Sequence, residues 1–317
     1  MSRPMTMKAV RIHAYGGPEV LRYEDAPLPA VGADDLLVEV RCAAVNPVDW
    51  KIREGWLQEK LAYALPLVLG WDVSGVVVEA GSGVTQFRSG DAVYARPDIM
   101  RNGCYAEYVA INAHEAARKP EKMSHAAAAG VPLAALTAWK ALFDEAGLRS
   151  GQTVLVHAAS GGVGSFAVQL AKAFGAIVVA TTSTPNVEAV RALGADRVVD
   201  YRIDNFATRV RDVDVVLDTL GGEVQERSWR CLRAGGTLVS IVSPPDAAAA
   251  RVHEAHAKYA WVVPDGARLA MLADMIDAGK IRTVIDSLLP LAQAAAAHER
   301  SRSGHARGKI VLAVRND

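Results

Sequence analysis

Two hydrophobic rhythms divide this chain. In the first third, apolar residues alternate with polar ones or gather in short runs, as strands do: Lys8-Ala9-Val10-Arg11-Ile12, Asp35-Leu36-Leu37-Val38-Glu39-Val40, Val73 to Ala80 and Ala92-Val93-Tyr94. Gly16-Gly17-Pro18, Gly81-Ser82-Gly83 and Ser89-Gly90-Asp91 separate them as turns, which predicts a compact antiparallel domain. Near residue 126 the rhythm changes. Helical stretches, Ala134 to Ala146 closed by Gly147, Ser165 to Phe174 closed by Gly175 and Val187 to Leu193 closed by Gly194, alternate with strand-like runs. The strands are Thr153 to Val156, Ile177 to Thr181, Arg197 to Asp200, Val213 to Asp218 and Gly236 to Val242. Such alternation specifies a parallel sheet covered on both faces. The tail adds a helix, Ala267 to Ala278, and a strand, Lys309 to Val314, that is expected to return to the β-rich beginning. The predicted fold class is α/β: a doubly wound parallel sheet, 127–261, inserted in a mainly β domain made of 1–126 and 262–317.

The junction of the first parallel strand with its helix carries the chemistry. It reads His157-Ala158-Ala159-Ser160-Gly161-Gly162-Val163-Gly164. Gly161 and Gly164 match the second and third glycines of G-x-G-x-x-G, and Ala159 replaces the first. Strand, glycine turn and helix place a pyrophosphate on free N–H groups at a helix N-terminus. An NAD site would end the next strand with an acid for the ribose 2′-hydroxyl. Here that stretch reads Thr181-Thr182-Ser183-Thr184-Pro185-Asn186, whose hydroxyls leave room for a 2′-phosphate. NADPH is the expected cofactor. Thr184 and Pro185 also suit the cap and first position of a helix.

Composition narrows the classes. At 317 residues the chain can hold two domains, and its formal net charge is zero. No basic run points to nucleic acid, and no apolar segment is long enough to span a bilayer. Cys42, Cys104 and Cys231 are scattered and odd in number, which suits a reducing cytoplasm and small apolar filler rather than disulfides or a Cys-rich zinc site.

Three further segments make a family visible: Ala44-Val45-Asn46-Pro47-Val48-Asp49 with Lys51, Gly70-Trp71-Asp72-Val73-Ser74-Gly75-Val76-Val77, and Gly103-Cys104-Tyr105-Ala106-Glu107-Tyr108. With Leu136-Thr137-Ala138, the glycine turn and Gly308-Lys309-Ile310-Val311-Leu312, they resemble the medium-chain dehydrogenase/reductase superfamily. The resemblance covers essentially the whole chain. It is strongest to the zinc-independent quinone oxidoreductase and alkenal/enone reductase branch, and it implies a Rossmann sheet inserted in a GroES-like catalytic domain. Zinc-dependent members carry a Cys where this chain has Asn46 and a His-Glu pair where it has Trp71-Asp72. Asn and Trp do not replace thiolate and imidazole as ligands, so no metal is expected.

The resemblance implies reduction of quinones or α,β-unsaturated carbonyls, with small-molecule substrates and a homodimer; charge and hydropathy add the expectation of no nucleic-acid or membrane partner. The rival is a non-catalytic NADPH-binding sensor or structural protein, because the Tyr of some enoyl reductases is Leu57 here. Asn46 is expected beside the nicotinamide ribose or substrate carbonyl, and Tyr63 is a candidate proton donor. Asp72 is expected to hold the Asn46 loop; Asp49 and His157 are read as structural. Trp56 and Trp71 are candidate walls of the substrate cleft. Cofactor contacts are assigned by resemblance to Asn46, Thr137, Ser160, Gly161, Gly162, Val163, Thr182, Ser183, Tyr201, Leu220, Val242, Val263 and Lys309.

Overall fold

The computed structural model describes residues 5–315. It resolves into two compact units. The first holds the chain up to Leu133, then Val263–Ala278 and everything from Thr283 onward. The second holds Ala134–Val262 and Gly279–Arg282. The first boundary therefore falls after Leu133 rather than after 126, and the short segment 279–282 joins the second unit.

In the first unit, β1 (Thr6–Ile12) pairs antiparallel with β2 (Leu21–Pro27), while β3 (Asp35–Val45) begins a larger sheet. β4 (Leu67–Val68) completes a three-stranded sheet in the order β2-β1-β4. β5 (Val73–Ala80), β6 (Ala92–Ala95), β7 (Tyr108–Asn112) and β8 (Ala116–Arg118) extend the larger one. β3 runs five residues further than its alternating part predicts, because Arg41-Cys42-Ala43-Ala44-Val45 carries small residues that show no period. Those small residues let neighbouring strands lie close on β3 from both sides.

The second unit is a parallel sheet. β9 (Thr153–Val156), β10 (Ile177–Thr182), β11 (Arg197–Asp200), β12 (Val213–Asp218), β13 (Leu232–Ser240) and β14 (His256–Tyr259) lie in the order β11-β10-β9-β12-β13-β14. The order reverses at β9, the strand that feeds the glycine turn, which is where ligands bind in such sheets. β13 starts four residues earlier than expected and stops at Ser240, so Val242 lies beyond the strand. The expected helix 134–146 is two pieces, a helix Pro132–Trp139 and a π-helical turn Lys140–Glu145. Leu155, Val179, Val199, Phe206, Val216 and Leu238 fill the core of this unit.

The chain then returns. β15 (Ile285–Pro290) runs parallel to β16 (Lys309–Ala313), and β16 pairs antiparallel with β3. The larger sheet of the first unit thus has the order β15-β16-β3-β5-β6-β8, with β7 also on β3. This is the return to the β-rich beginning that the sequence predicts.

Candidate functional site

The glycine turn of the second unit is built for an anion. Ala158 bends the chain with φ 45°, one residue before the position where the motif has its first glycine. Gly161 N donates back to Ala158 O at 2.9 Å and closes the turn. A helix then runs over Gly162–Ala173, and no side chain caps it. Its first-turn N–H groups at Gly162, Val163 and Gly164 find no acceptor among the described residues. They carry the positive end of a twelve-residue helix; Gly162 and Val163 are partly exposed and Gly164 is buried. At Gly164 a Cβ would lie 2.3 Å from Ala158 O, so only glycine lets the helix pack this close on its strand.

Hydroxyls gather beside that turn. Thr182, the last residue of β10, donates from Oγ1 to Ser160 Oγ at 3.0 Å. Asn186 Nδ2 donates to Ser183 Oγ at 3.1 Å, and Tyr201 N donates to Thr182 O at 3.1 Å. Ser160, Gly161, Gly162, Val163, Thr182, Ser183 and Tyr201 are thereby brought to one edge of the sheet. No carboxylate ends β10. The acid nearest in register is Asp200, which pairs with Thr182 across the ladder. Its Oδ1 already accepts from Arg202 N at 3.0 Å.

Apolar side chains stand exposed along the same carboxyl edge. Tyr201 is 54% exposed after β11 and Leu220 is 50% exposed after β12. Val242, after β13, is also exposed. The loop under Leu220 is fixed, since Asp218 Oδ1 accepts from both Leu220 N and Gly221 N. An exposed apolar residue after each of three successive parallel strands is a seat for flat, partly apolar groups such as a dinucleotide's rings. Thr137 is buried in this unit, whereas Val263 opens the return to the first unit and is exposed.

A second cluster lies wholly in the first unit. Pro47 opens a helix, Pro47–Arg53, and Asn46 caps it with an extended backbone. Register then gathers residues distant in sequence. Val73 of β5 pairs with Ala43 of β3, and Ile310 of β16 pairs with Val45. Asp72 and Lys309 are the next residues out on those two strands, so both arrive beside Asn46. Asn46 Nδ2 donates to Asp72 Oδ2 at 2.9 Å. Lys309 Nζ donates to Asp72 Oδ2 at 3.0 Å and also to Asn46 Oδ1. Asp72 Oδ1 accepts from Leu133 N at 2.7 Å. Asn46 and Lys309 are each 3% exposed and Asp72 is not exposed at all. Burial pushes the Asp72 carboxyl upward, against the pull of the Lys309 ammonium. The structure therefore gives Asp72 the expected hold on the Asn46 loop. Two of the three donors of the Lys309 ammonium are taken by Asn46 and Asp72.

Behind Asn46 runs a buried chain. Asp49 Oδ2 accepts from Asn46 N at 2.8 Å and from Tyr105 OH at 2.7 Å. His298 Nε2 lies 3.3 Å from Tyr105 OH, and its Nδ1 lies 3.3 Å from Arg53. Asp49 Oδ1 has no partner, and burial raises its carboxyl to about 7. Asp49 is structural, as expected, but neither Tyr105 nor His298 is recognisable from sequence as its neighbour.

Two candidates are displaced. Tyr63 donates its hydroxyl hydrogen to Ile99 O at 2.9 Å and stacks on Trp71 with ring centroids 6.1 Å apart. Burial raises its phenol further from release, and in this structure its hydroxyl hydrogen is taken by Ile99 O. Trp71 is fully buried in the first unit's core, with Nε1 donating to Arg101 O at 3.1 Å, and so walls no open cleft. Trp56, by contrast, is 63% exposed. His157 is satisfied internally: Nδ1 lies 3.0 Å from Thr181 Oγ1 and Nε2 2.9 Å from Ser228 Oγ. Since Ser228 Oγ donates to Val224 O, His157 donates from Nε2 and accepts at Nδ1.

Comparison with known proteins gives a class, an oxidoreductase. Residues 32–121 match the alcohol dehydrogenase GroES-like domain and 193–312 match a model described as zinc-binding dehydrogenase. A mitochondrial NAD(P)H oxidoreductase of Danio rerio is 32% identical, covering 100% of this chain and 93% of the relative. The chloroplastic NADPH-dependent alkenal/one oxidoreductase of Arabidopsis thaliana is 36% identical, over 98% of this chain and 80% of the relative. The quinone oxidoreductase of Coxiella burnetii superposes with a TM-score of 0.92 at 36% identity, covering 98% of this chain and 100% of the other. The chain belongs to the medium-chain dehydrogenase/reductase superfamily, in its quinone and enone reductase branch.

The zinc of that family's name does not fit these residues. The positions hold an amide, a buried indole and a carboxylate already bonded to an ammonium. Lys309 Nζ already bonds both Asn46 and Asp72, and an ammonium is no ligand. Among the described residues no group of three or more His, Cys, Asp or Glu is placed to hold a metal. No helix among them is long and apolar enough to cross a membrane. All three cysteines are buried and none forms a disulfide. The cytoplasm as a location has no support of its own, since relatives are mitochondrial or chloroplastic by name.

Proposed function

We propose that this protein is an NADPH-dependent, zinc-free reductase of quinones or α,β-unsaturated carbonyls. The observation that carries the reading is the uncapped N-terminus of Gly162–Ala173 beside a strand that ends in hydroxyls instead of an acid. The first-turn N–H groups of Gly162, Val163 and Gly164, which find no acceptor among the described residues, suit a pyrophosphate. Ser160, Thr182 and Ser183 offer donors to a 2′-phosphate, where an Asp would repel it. Tyr201, Leu220 and Val242 offer apolar surface to the rings. The names of the relatives support a nicotinamide cofactor and a small conjugated carbonyl substrate. They give no support to the non-catalytic alternative.

The nicotinamide, when bound, supplies a hydride. The chain's task is then to meet the charge that develops on the carbonyl oxygen and to let a proton reach the carbon. Asn46, held from both ends of its amide, is a preorganised donor of that kind. With Tyr63 committed to Ile99, the proton comes from solvent. Calorimetric titration with NADPH and NADH, followed by cofactor consumption over an enone and quinone panel, tests the proposal. Tighter NADPH binding with turnover on the panel is expected. Equal or tighter NADH binding would sink the cofactor assignment, and tight binding without turnover would sink the reductase. The homodimer implied by the resemblance is open to light scattering.

A further inference from the structure

The donor count at Lys309 is incomplete, and the remainder points to a ligand. An ammonium has three N–H donors and an amide nitrogen has two. Lys309 spends one on Asn46 Oδ1 and one on Asp72 Oδ2. Asn46 spends one on that same Asp72 oxygen. One N–H on each nitrogen thus finds no acceptor among the described residues. Both nitrogens donate to one carboxylate oxygen, at 2.9 and 3.0 Å, so the two unspent donors belong to one cluster. Both side chains are almost wholly buried, where an unmade bond on a cation is costly.

The cluster is also held rigidly. Asp72 is fixed by Leu133 N, Asn46 by its helix, and Lys309 by the strand β16. Gly308 precedes Lys309 with φ 86°, and a Cβ there would meet Val284 O at 2.1 Å, so the approach of the lysine is set by backbone. Fixed donors that need not reorganise are what stabilise a developing negative charge.

We propose that Lys309 and Asn46 form a two-donor site for an oxyanion, the Lys309 ammonium standing in for the absent metal, and that Lys309 is a catalytic residue. The proposal rests on the reductase reading. As hydride adds to the β-carbon of an enone, the C=C pair moves toward the carbonyl and leaves an enolate oxygen. That oxygen takes the two unspent N–H donors until a solvent proton reaches the α-carbon. A quinone oxygen that becomes phenolate is held in the same way.

A phenolate is therefore the probe. Binding of p-nitrophenol to the NADP⁺-loaded protein is followed by the absorbance that separates phenolate from phenol. The wild type should bind the phenolate, and Lys309→Met should lose about 10²-fold in that affinity and a similar factor in kcat on an enone. NADPH affinity should not move. If Lys309→Met fails to fold because Asp72 is left unpaired, Lys309→Met/Asp72→Asn removes the stranded charge and carries the same measurements. Phenolate binding and turnover at wild-type levels in the folded variant would overturn the site. A wild type that binds the phenolate but reduces no enone or quinone would count instead against the reductase reading.

Discussion

At the scale of single residues, burial sets the behaviour of the ionisable groups. The carboxyl of Asp49 is raised from 3.8 to about 7, first by burial, which its bonds from Asn46 N and Tyr105 only partly offset. The folded state therefore holds this proton more tightly than the unfolded chain does. The group's contribution is complete below pH 3.8 and is lost as pH rises toward 7, by about 4 kcal/mol in the limit. Two buried histidines act in the opposite sense. His157 is lowered to about 4 and His298 to about 3, both chiefly by burial. Their stabilisation is whole above pH 6.5 and is lost progressively as pH falls from there through the folded values, about 4 and about 3. Asp49→Asn keeps an acceptor for Asn46 N and Tyr105 and puts an amide where the carboxyl is unpartnered. Urea unfolding should find it at least as stable as the wild type at pH 8, with the difference shrinking toward pH 4. A difference independent of pH would show that Asp49 does not titrate in this range.

Asn46 makes a second prediction at this scale. Its amide answers Lys309 on one side and Asp72 on the other. Asn46→Ala leaves both short of a partner in a buried place, at about 1–3 kcal/mol. It should therefore lower the melting temperature as well as kcat on an enone, the latter by about 10²-fold. A turn residue read from sequence would cost little stability, so an unchanged melting temperature would contradict the network.

At the scale of elements, the sequence is legible where apolar period and glycine punctuation agree. β9, the helix Gly162–Ala173, β10 and β12 lie where Thr153 to Val156, Ser165 to Phe174, Ile177 to Thr181 and Val213 to Asp218 place them. It is silent where an element has neither signal. β2 is mostly exposed and mixed in composition, and β14 is four residues of His, Ala, Lys and Tyr. The glycine turn shows what the pattern encodes. Gly164 faces the Ala158 carbonyl at a distance no Cβ could share. Gly164→Ala must push the helix off its strand or twist the turn, at about 1–3 kcal/mol, and the N–H groups that meet the pyrophosphate move with it. Lower NADPH affinity together with lower stability is expected. Gly147→Ala serves as the control for packing, because a Cβ there meets open space, although its φ of 62° adds some strain. A Gly164→Ala protein that binds NADPH like the wild type would mean the close approach is not what shapes the site.

At the scale of the whole molecule, the chemistry of the first unit comes from strands at opposite ends of the sequence. Lys309 is 263 residues from Asn46 and 237 from Asp72. Composition reveals neither distance, and the motifs show each residue without the register that joins them. Only the antiparallel pairing of β16 on β3, beside β5, turns three motifs into one cluster. That pairing also decides the metal question physically. A zinc ion entering here would have to displace an ammonium from a carboxylate and take a ligand from an amide, and among the described residues no group of three or more His, Cys, Asp or Glu is placed to repay the loss. Elemental analysis of protein purified without added metal should find far less than one zinc per chain. Incubation with a strong chelator should leave both the melting temperature and the turnover of an enone unchanged. Stoichiometric zinc, lost together with activity, would show that Lys309 moves aside for a metal and that the cluster is a ligand set after all.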